Sequence, residues 1–243
     1  MYLENKKVIK RLAVIPARGG STRLKDKNIY PLSGLPLIRW MTKSVVESNC
    51  FDKIYISTDS DKIFEVVSDL PVCRHMRPES HATVRATVLN AMVDLMENEE
   101  EKFDTFSYFL PTCPFVSSED ILKGVSMLTE DIDSVVSMTE IPETIQLACN
   151  MKNGWVLPVF DNLEAGLTNS KFIKKYHKPS GAFYMGWWDK IIVNRNFFKG
   201  DVKGVIIPKE RSVDINSLED ILYAESILEK NYKNESNSVR INK

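Results

Sequence analysis

Short apolar runs alternate with amphipathic stretches along most of this 243-residue chain. Residues 12–17, 53–57, 106–110 and 134–138 are apolar or β-branched and have the length of buried strands. Between and after them, in 35–47, 61–68, 84–96 and 118–128, apolar residues recur every three or four places, which predicts helices with one buried face. Ser117, with Asp120 three residues on, is a cap for the last of these. Strand followed by helix, repeated, is the pattern of an α/β fold: a mostly parallel twisted sheet flanked by helices.

The rhythm weakens over 150–169, where glycine, asparagine and proline punctuate short apolar pieces such as 155–160. This reads as a small excursion, about 140–185, away from the main sheet. Regularity returns with a strand at 182–185, a helix at 189–198, a strand at 204–207 and a helix at 218–230 capped by Ser217. Residues 233–243 are polar and asparagine-rich and are expected to fray or remain disordered. The expectation is one domain, 1–232, with a polar tail.

Charge narrows the function classes. The 32 lysines and arginines nearly cancel the 33 aspartates and glutamates, so no global basic field draws the protein onto nucleic acid or an anionic membrane. Any anion site must be local. The four cysteines, Cys50, Cys73, Cys113 and Cys149, form no C-x-x-C pair, which argues against a zinc knuckle or a disulfide scaffold and fits a reducing compartment. Residues 1–11 are charged and lead straight into an apolar strand, unlike a signal peptide or membrane anchor, so a cytoplasmic location is expected.

A local anion site is visible directly after the first strand. Residues 18–28, Arg-Gly-Gly-Ser-Thr-Arg-Leu-Lys-Asp-Lys-Asn, pack two glycines, a serine and four cations into eleven positions. Glycines let backbone N–H groups approach a polyanion, and arginine and lysine supply charge-assisted hydrogen bonds to phosphate. The spacing is neither that of a Walker loop nor that of G-x-G-x-x-G. An ordinary solvated basic turn is the alternative, and the density of cations behind a buried strand argues against it.

Ile15-Pro16-Ala17-Arg18-Gly19-Gly20-Ser21, continued by Lys27-Asn28-Ile29, resembles the signature of the acylneuraminate cytidylyltransferases, the family that includes CMP-pseudaminic and CMP-legionaminic acid synthetases. Gly34-x-Pro36-Leu37-Ile38, Ser57-Thr58-Asp59-Ser60, Arg77-Pro78-Glu79, Pro111-Thr112-x-Pro114 and Asp133-Ser134-Val135-Val136-Ser137 follow in the family's order. The resemblance spans about residues 10 to 230. It implies a nucleotide-diphospho-sugar transferase-like, Rossmann-like fold and a homodimer in which the excursion meets the partner.

The resemblance also implies a site. Ala17, Arg18, Gly19, Gly20, Ser21, Arg23, Lys27 and Asn28 would wrap the triphosphate of CTP, with Arg77 near the base. Asp59, His177, Ser180, Gly181 and Phe197 would face the sugar acid, although Asp59 also suits capping of the helix that follows. Asp214 and Asn216 stand where the family carries a D-x-D pair for Mg2+, and alternate residues of an extended segment point to one side. Arg18, Lys27 and Asp214 are the candidate catalytic residues, with Asp214 also a candidate base.

Four departures mark this chain. Asn216 replaces the second aspartate, Ser180 replaces a common asparagine, Leu110 stands where many sialate-activating members have glutamine, and an upstream arginine-glutamine pair is missing. Lys171, Lys174, Lys175 or Lys178 could meet the sugar carboxylate instead. The reaction implied is in-line attack of the sugar's anomeric hydroxyl on the α-phosphorus of CTP, giving CMP-sugar and pyrophosphate. Ser180 and Leu110 point to a pseudaminic- or legionaminic-type acceptor. The alternatives are an enzyme for the eight-carbon lipopolysaccharide sugar acid or another sugar nucleotidyltransferase, and a non-catalytic nucleotide-binding relative.

Overall fold

The computed structural model describes residues 8–78, 87–142, 144–169, 171 and 173–241, with side chains described up to residue 230. Strands β1 (Arg11–Pro16), β4 (Lys53–Thr58), β5 (Cys73–Met76), β6 (Thr105–Phe109), β7 (Ser134–Glu140), β10 (His177–Trp187) and β11 (Val202–Ile206) form one sheet. Their spatial order is β11-β7-β10-β6-β1-β4-β5. Every neighbouring pair is parallel except those made by β10, which runs antiparallel between β6 and β7.

Helices cover both faces, as strand alternation requires. In β1, Ala13 and Ile15 point to a core shared with Ile38, Met41 and Val45 of α1 (Leu37–Glu47), Ile63 of α2 (Asp61–Glu65) and Ile121 of α4 (Ser118–Met127). Leu12 and Val14 point the other way, onto Ala91, Met92 and Leu95 of α3 (Val88–Asn98) and Ile191 of α5 (Trp188–Asn194). A third core joins Leu32 and Leu37 to Val213, Ile215, Ile221 and Ala224, which ties α6 (Leu218–Ile241) to the hairpin of β2 (Pro31–Leu32) and β3 (Leu35–Pro36).

Several elements differ in extent from the sequence expectation. The helix expected over 35–47 starts at Leu37, because Ser33 and Gly34 turn with positive φ and hand Leu35 and Pro36 to the hairpin. The helix expected over 61–68 ends at Glu65; the Ser68 hydroxyl then donates to the Glu65 carbonyl, closing a turn instead. The helix expected from 84 begins at Val88, with Thr87 as cap; 84–86 lie outside the described residues. The helix expected over 189–198 stops at Asn194, where Arg195 turns left-handed at φ 46°. The Ser117–Asp120 capping box is present. Helix α6 continues to Ile241, past the end expected at 230, and no glycine or proline interrupts 218–241. The excursion carries its own antiparallel pair, β8 (Cys149–Lys152) and β9 (Trp155–Pro158).

Candidate active site

The cleft lies beyond the carboxyl ends of the parallel strands, the usual ligand side of such a sheet. Strand β1 leaves the sheet at Ala17, whose N–H donates to the Ser57 carbonyl at 2.9 Å. The Gly19 N–H donates to Asp59 Oδ1 at 2.7 Å, and Asn28 Nδ2 donates to the Arg18 carbonyl at 3.0 Å. The basic loop is thus pinned at its entry to the end of β4 and closed on itself by a buried asparagine. Gly19 sits in tight space: a Cβ there would lie 3.1 Å from Ser60 Cβ, so Ser60 would have to yield by a few tenths of an ångström. Gly20 is exposed, and a Cβ there would meet nothing, so this side of the loop is open to a ligand. Ser21 is half-buried beside it.

The opposite wall is the segment 213–216. Val213 and Ile215 are buried in the third core, and period two turns Asp214 and Asn216 the other way. The Ile215 N–H donates to the Thr112 carbonyl at 2.8 Å, and the Asn216 N–H donates to Asp220 Oδ2 at 2.8 Å at the start of α6. Arg211 forks onto the Asp120 carboxylate of the α4 cap, with Nη2 donating to Oδ1 at 3.1 Å, which anchors the approach to this segment.

Asn216 links the two walls. Its Oδ1 accepts from Lys27 Nζ at 3.1 Å and from Arg23 Nη2 at 3.0 Å, and its Nδ2 donates to Asp214 Oδ2 at 2.8 Å. The reverse amide orientation would set an NH2 group against two cationic donors, so the partners fix which atom faces which. Lys27 also donates to the Ile215 carbonyl at 3.1 Å. Burial pushes its ammonium below the ordinary lysine value; Asp214 works against that shift, while Arg23 and Arg18 reinforce it.

Pro16, Arg18, Lys27, Asn28, Arg77, Val88, Leu110 and Asp214 are among the residues around a cleft of about 260 Å³. Arg77 is 5% exposed, and its Nε has no hydrogen-bond partner among the described residues. Burial lowers its guanidinium from the ordinary value, Asp59 opposing the shift and Arg18 adding to it. Such a buried charge is costly without an anion. Tyr184 lies close enough to Asp214 and Cys113 for both to add to the burial that raises its phenol.

Of the expected nucleotide residues, Arg18, Lys27, Asn28 and Arg77 line this cleft, whereas the expected sugar residues lie outside its lining. Asp59 holds the Gly19 amide. His177 is exposed at the start of β10, opposite Glu140. Ser180 is 6% exposed and its hydroxyl accepts from the Ala182 N–H, while Gly181 turns at φ 84° within the irregular stretch of β10. Phe197 is 2% exposed and packs against Tyr108 and Tyr184, so its ring belongs to the core rather than to a sugar wall. Its position follows from α5 ending early. Val88 and Tyr184 were not among the expected site residues; Val88 shows only apolar periodicity in the sequence, and Tyr184 closes the segment that holds Ser180 and Gly181.

Magnesium takes oxygen ligands, usually one or two carboxylates together with substrate phosphates. Among the described residues no group of three or more histidine, cysteine or acidic side chains is arranged to hold a metal. Asp214 fits such a role with phosphate oxygens supplied by a nucleotide. Asn216 fits poorly, since its oxygen already faces two cations.

The family model for cytidylyltransferases matches residues 12–155. A pseudaminic acid cytidylyltransferase of Campylobacter jejuni is 27% identical, over 93% of this chain and 99% of that protein. A CMP-N,N'-diacetyllegionaminic acid synthase of Legionella pneumophila is 30% identical, over 90% of this chain and 97% of that protein. The structure of a CMP:2-keto-3-deoxy-manno-octonic acid synthetase complexed with CTP superposes with a TM-score of 0.66 at 13% identity, covering 91% of this chain and 99% of that one, a likeness of fold.

Proposed function

Because the chain belongs to the cytidylyltransferase family, we propose that it transfers the cytidylyl group of CTP to a nine-carbon, sialic-acid-type sugar acid and releases pyrophosphate. The observation that carries this reading is the convergence of Arg18, Arg23, Lys27 and Arg77 with the carboxylate of Asp214 around one cleft at the carboxyl ends of the strands.

The anomeric hydroxyl of the sugar attacks the α-phosphorus in line, and pyrophosphate leaves. Arg18, Arg23 and Lys27 neutralise charge on the phosphates, and the backbone around Gly19 and Gly20 gives the polyphosphate access to the loop. Arg77 supplies a buried cation on the nucleotide side. Asp214 is the acidic group able to take the hydroxyl proton. Mg2+ held by Asp214 and the phosphates would add further charge neutralisation.

The acceptor reading rests on the apolar lining. Leu110 and Val88 offer no hydrogen bond, which favours a deoxy or acylated position over a free hydroxyl. A pseudaminic- or legionaminic-type diamino sugar suits that wall. The chain acts in the cytoplasm as a homodimer, in support of which the β8–β9 pair exposes Met151, Trp155 and Val156 at 67%, 73% and 59%.

The deciding experiment is pyrophosphate release from CTP and Mg2+ with N-acetylneuraminic, pseudaminic, legionaminic and eight-carbon sugar acids supplied separately. Turnover with one nine-carbon acid is expected. Turnover with the eight-carbon acid alone would move the acceptor, and absence of CTP binding would remove the reading.

A further inference from the structure

We infer that Asn216 makes the nucleotide cleft competent for CTP without a divalent cation, by holding Lys27 and Arg23 in place and keeping Asp214 hydrogen-bonded while no metal is bound. The inference rests on the CTP reading above and concerns how that site is assembled.

The cations Arg18, Lys27 and Arg77 line the cleft with the carboxylate of Asp214, Arg23 reaches its wall at Asn216, and the carboxylate of Asp59 lies beneath the loop at Gly19. Asp59 is engaged by the Gly19 amide. The pair at 214 and 216 is therefore where the balance between a cationic cleft and a metal-requiring cleft is set. An aspartate at 216 would bring a second carboxylate to the 2.8 Å contact that the Asn216 amide now makes with Asp214. Two carboxylates at hydrogen-bond distance disfavour each other's ionised form, a repulsion that a divalent cation between them relieves. An aspartate would also draw Lys27 and Arg23 into ion pairs with the protein, in competition with phosphate.

The neutral amide avoids both effects. Its NH2 group satisfies Asp214, and its carbonyl accepts from the two cations at 3.1 and 3.0 Å without cancelling their charge. Lys27 and Arg23 then stay aimed across the cleft as full charges. The wall that carries Asn216 is fixed by the buried Ile215 and by the Asp220 carboxylate that accepts the Asn216 N–H, so the arrangement needs no ligand to form.

The test is titration calorimetry of CTP against the full chain, in EDTA and in millimolar Mg2+, for the wild type, Asn216→Asp and Asn216→Ala. Wild type is expected to bind CTP in EDTA within about threefold of its affinity in Mg2+. Asn216→Asp is expected to lose on the order of tenfold in EDTA and to recover in Mg2+, the scale of one added charge near the phosphates. Asn216→Ala removes the tether without adding charge and is expected to weaken CTP equally in both buffers. If wild-type binding collapses in EDTA, or if Asn216→Asp binds in EDTA as wild type does, the inference is overturned while the cytidylyltransferase reading stands. Absence of CTP binding in either buffer overturns both.

Discussion

The Gly19 amide donates to Asp59 Oδ1 at 2.7 Å, so the residue after the second parallel strand sets the path of the basic loop after the first. A carboxylate accepting a backbone N–H is a charge-assisted bond, worth about 1.5–3 kcal/mol where it is shielded from water and less where it is not. Asp59→Ala is expected to weaken CTP binding by about tenfold while the acceptor KM stays near its wild-type value. Asp59→Asn, which keeps an accepting oxygen, should recover much of the loss. A direct sugar contact would do the reverse, raising the acceptor KM with CTP affinity unchanged. Equilibrium CTP titration beside initial-rate kinetics separates the two.

Arg77 carries a different cost. Its side chain is buried, with no hydrogen-bond partner for Nε among the described residues, and burial lowers its guanidinium. Replacing such a charge with an apolar group of similar length removes a desolvation penalty in the ligand-free protein. Arg77→Met is therefore expected to melt at or above the wild-type temperature without ligand, yet to bind CTP about tenfold to a hundredfold more weakly. Parallel thermal melts with and without CTP give the readout: the ligand-induced shift shrinks while the ligand-free melt does not fall. A large drop in the ligand-free melt would make Arg77 a structural residue.

How far the sequence reached is visible in two neighbouring segments. The basic loop was legible because its charge is written in residue type, cations and glycines set behind a run of buried residues, and Arg18, Lys27 and Asn28 do meet around the cleft. The segment 213–216 was legible through the D-x-D resemblance, and alternation put Asp214 and Asn216 on one side, opposite the buried Val213 and Ile215. The burial of Phe197 was not legible, because its place depends on where α5 ends, and a left-handed Arg195 is not a residue type that announces a stop. β5, Cys-Arg-His-Met, has no apolar pattern; it forms by pairing with β4 at the sheet edge, a tertiary effect. The β8–β9 hairpin has its own sequence signal, Asn153-Gly154, both at positive φ in the structure.

Lys27 predicts a pH dependence whose sign can be worked out. Burial is the main cause of its depressed pKa, from an ordinary 10.5. Phosphate binding needs the ammonium, so Lys27 contributes to affinity below its depressed pKa, and the contribution is lost as pH rises through that value, before 10.5 is reached. Folding moves the other way. In the window between the folded and ordinary values the unfolded chain binds more protons, so this group's effect on stability improves as pH rises. CTP affinity measured from pH 7 to 10 should therefore fall while the ligand-free melting temperature shows no matching loss from this group. Lys27→Arg, with a guanidinium that stays charged, should flatten the affinity profile. A wild-type profile that is level to pH 10 would rule this out.

Leu110 and Val88 together predict a change of acceptor preference. Leu110 is fixed by its backbone, whose N–H donates to the Ala182 carbonyl at 2.9 Å, so a substitution there alters chemistry with little change of path. The Leu110→Gln variant puts an amide where the cleft now offers a hydrocarbon. A site built to hydrogen-bond a hydroxyl discriminates strongly against analogues lacking it, whereas an apolar wall discriminates weakly, by about 1–3 kcal/mol per missing or added methylene. Wild type is thus expected to use pseudaminic- or legionaminic-type acids with a kcat/KM about tenfold or more above that for N-acetylneuraminic acid. Leu110→Gln should narrow or invert that ratio while leaving the CTP KM near its starting value. Competition between paired acceptors in one reaction, read as the ratio of CMP-sugar products, measures it directly. A ratio unmoved by the substitution would mean that the acceptor does not meet this wall.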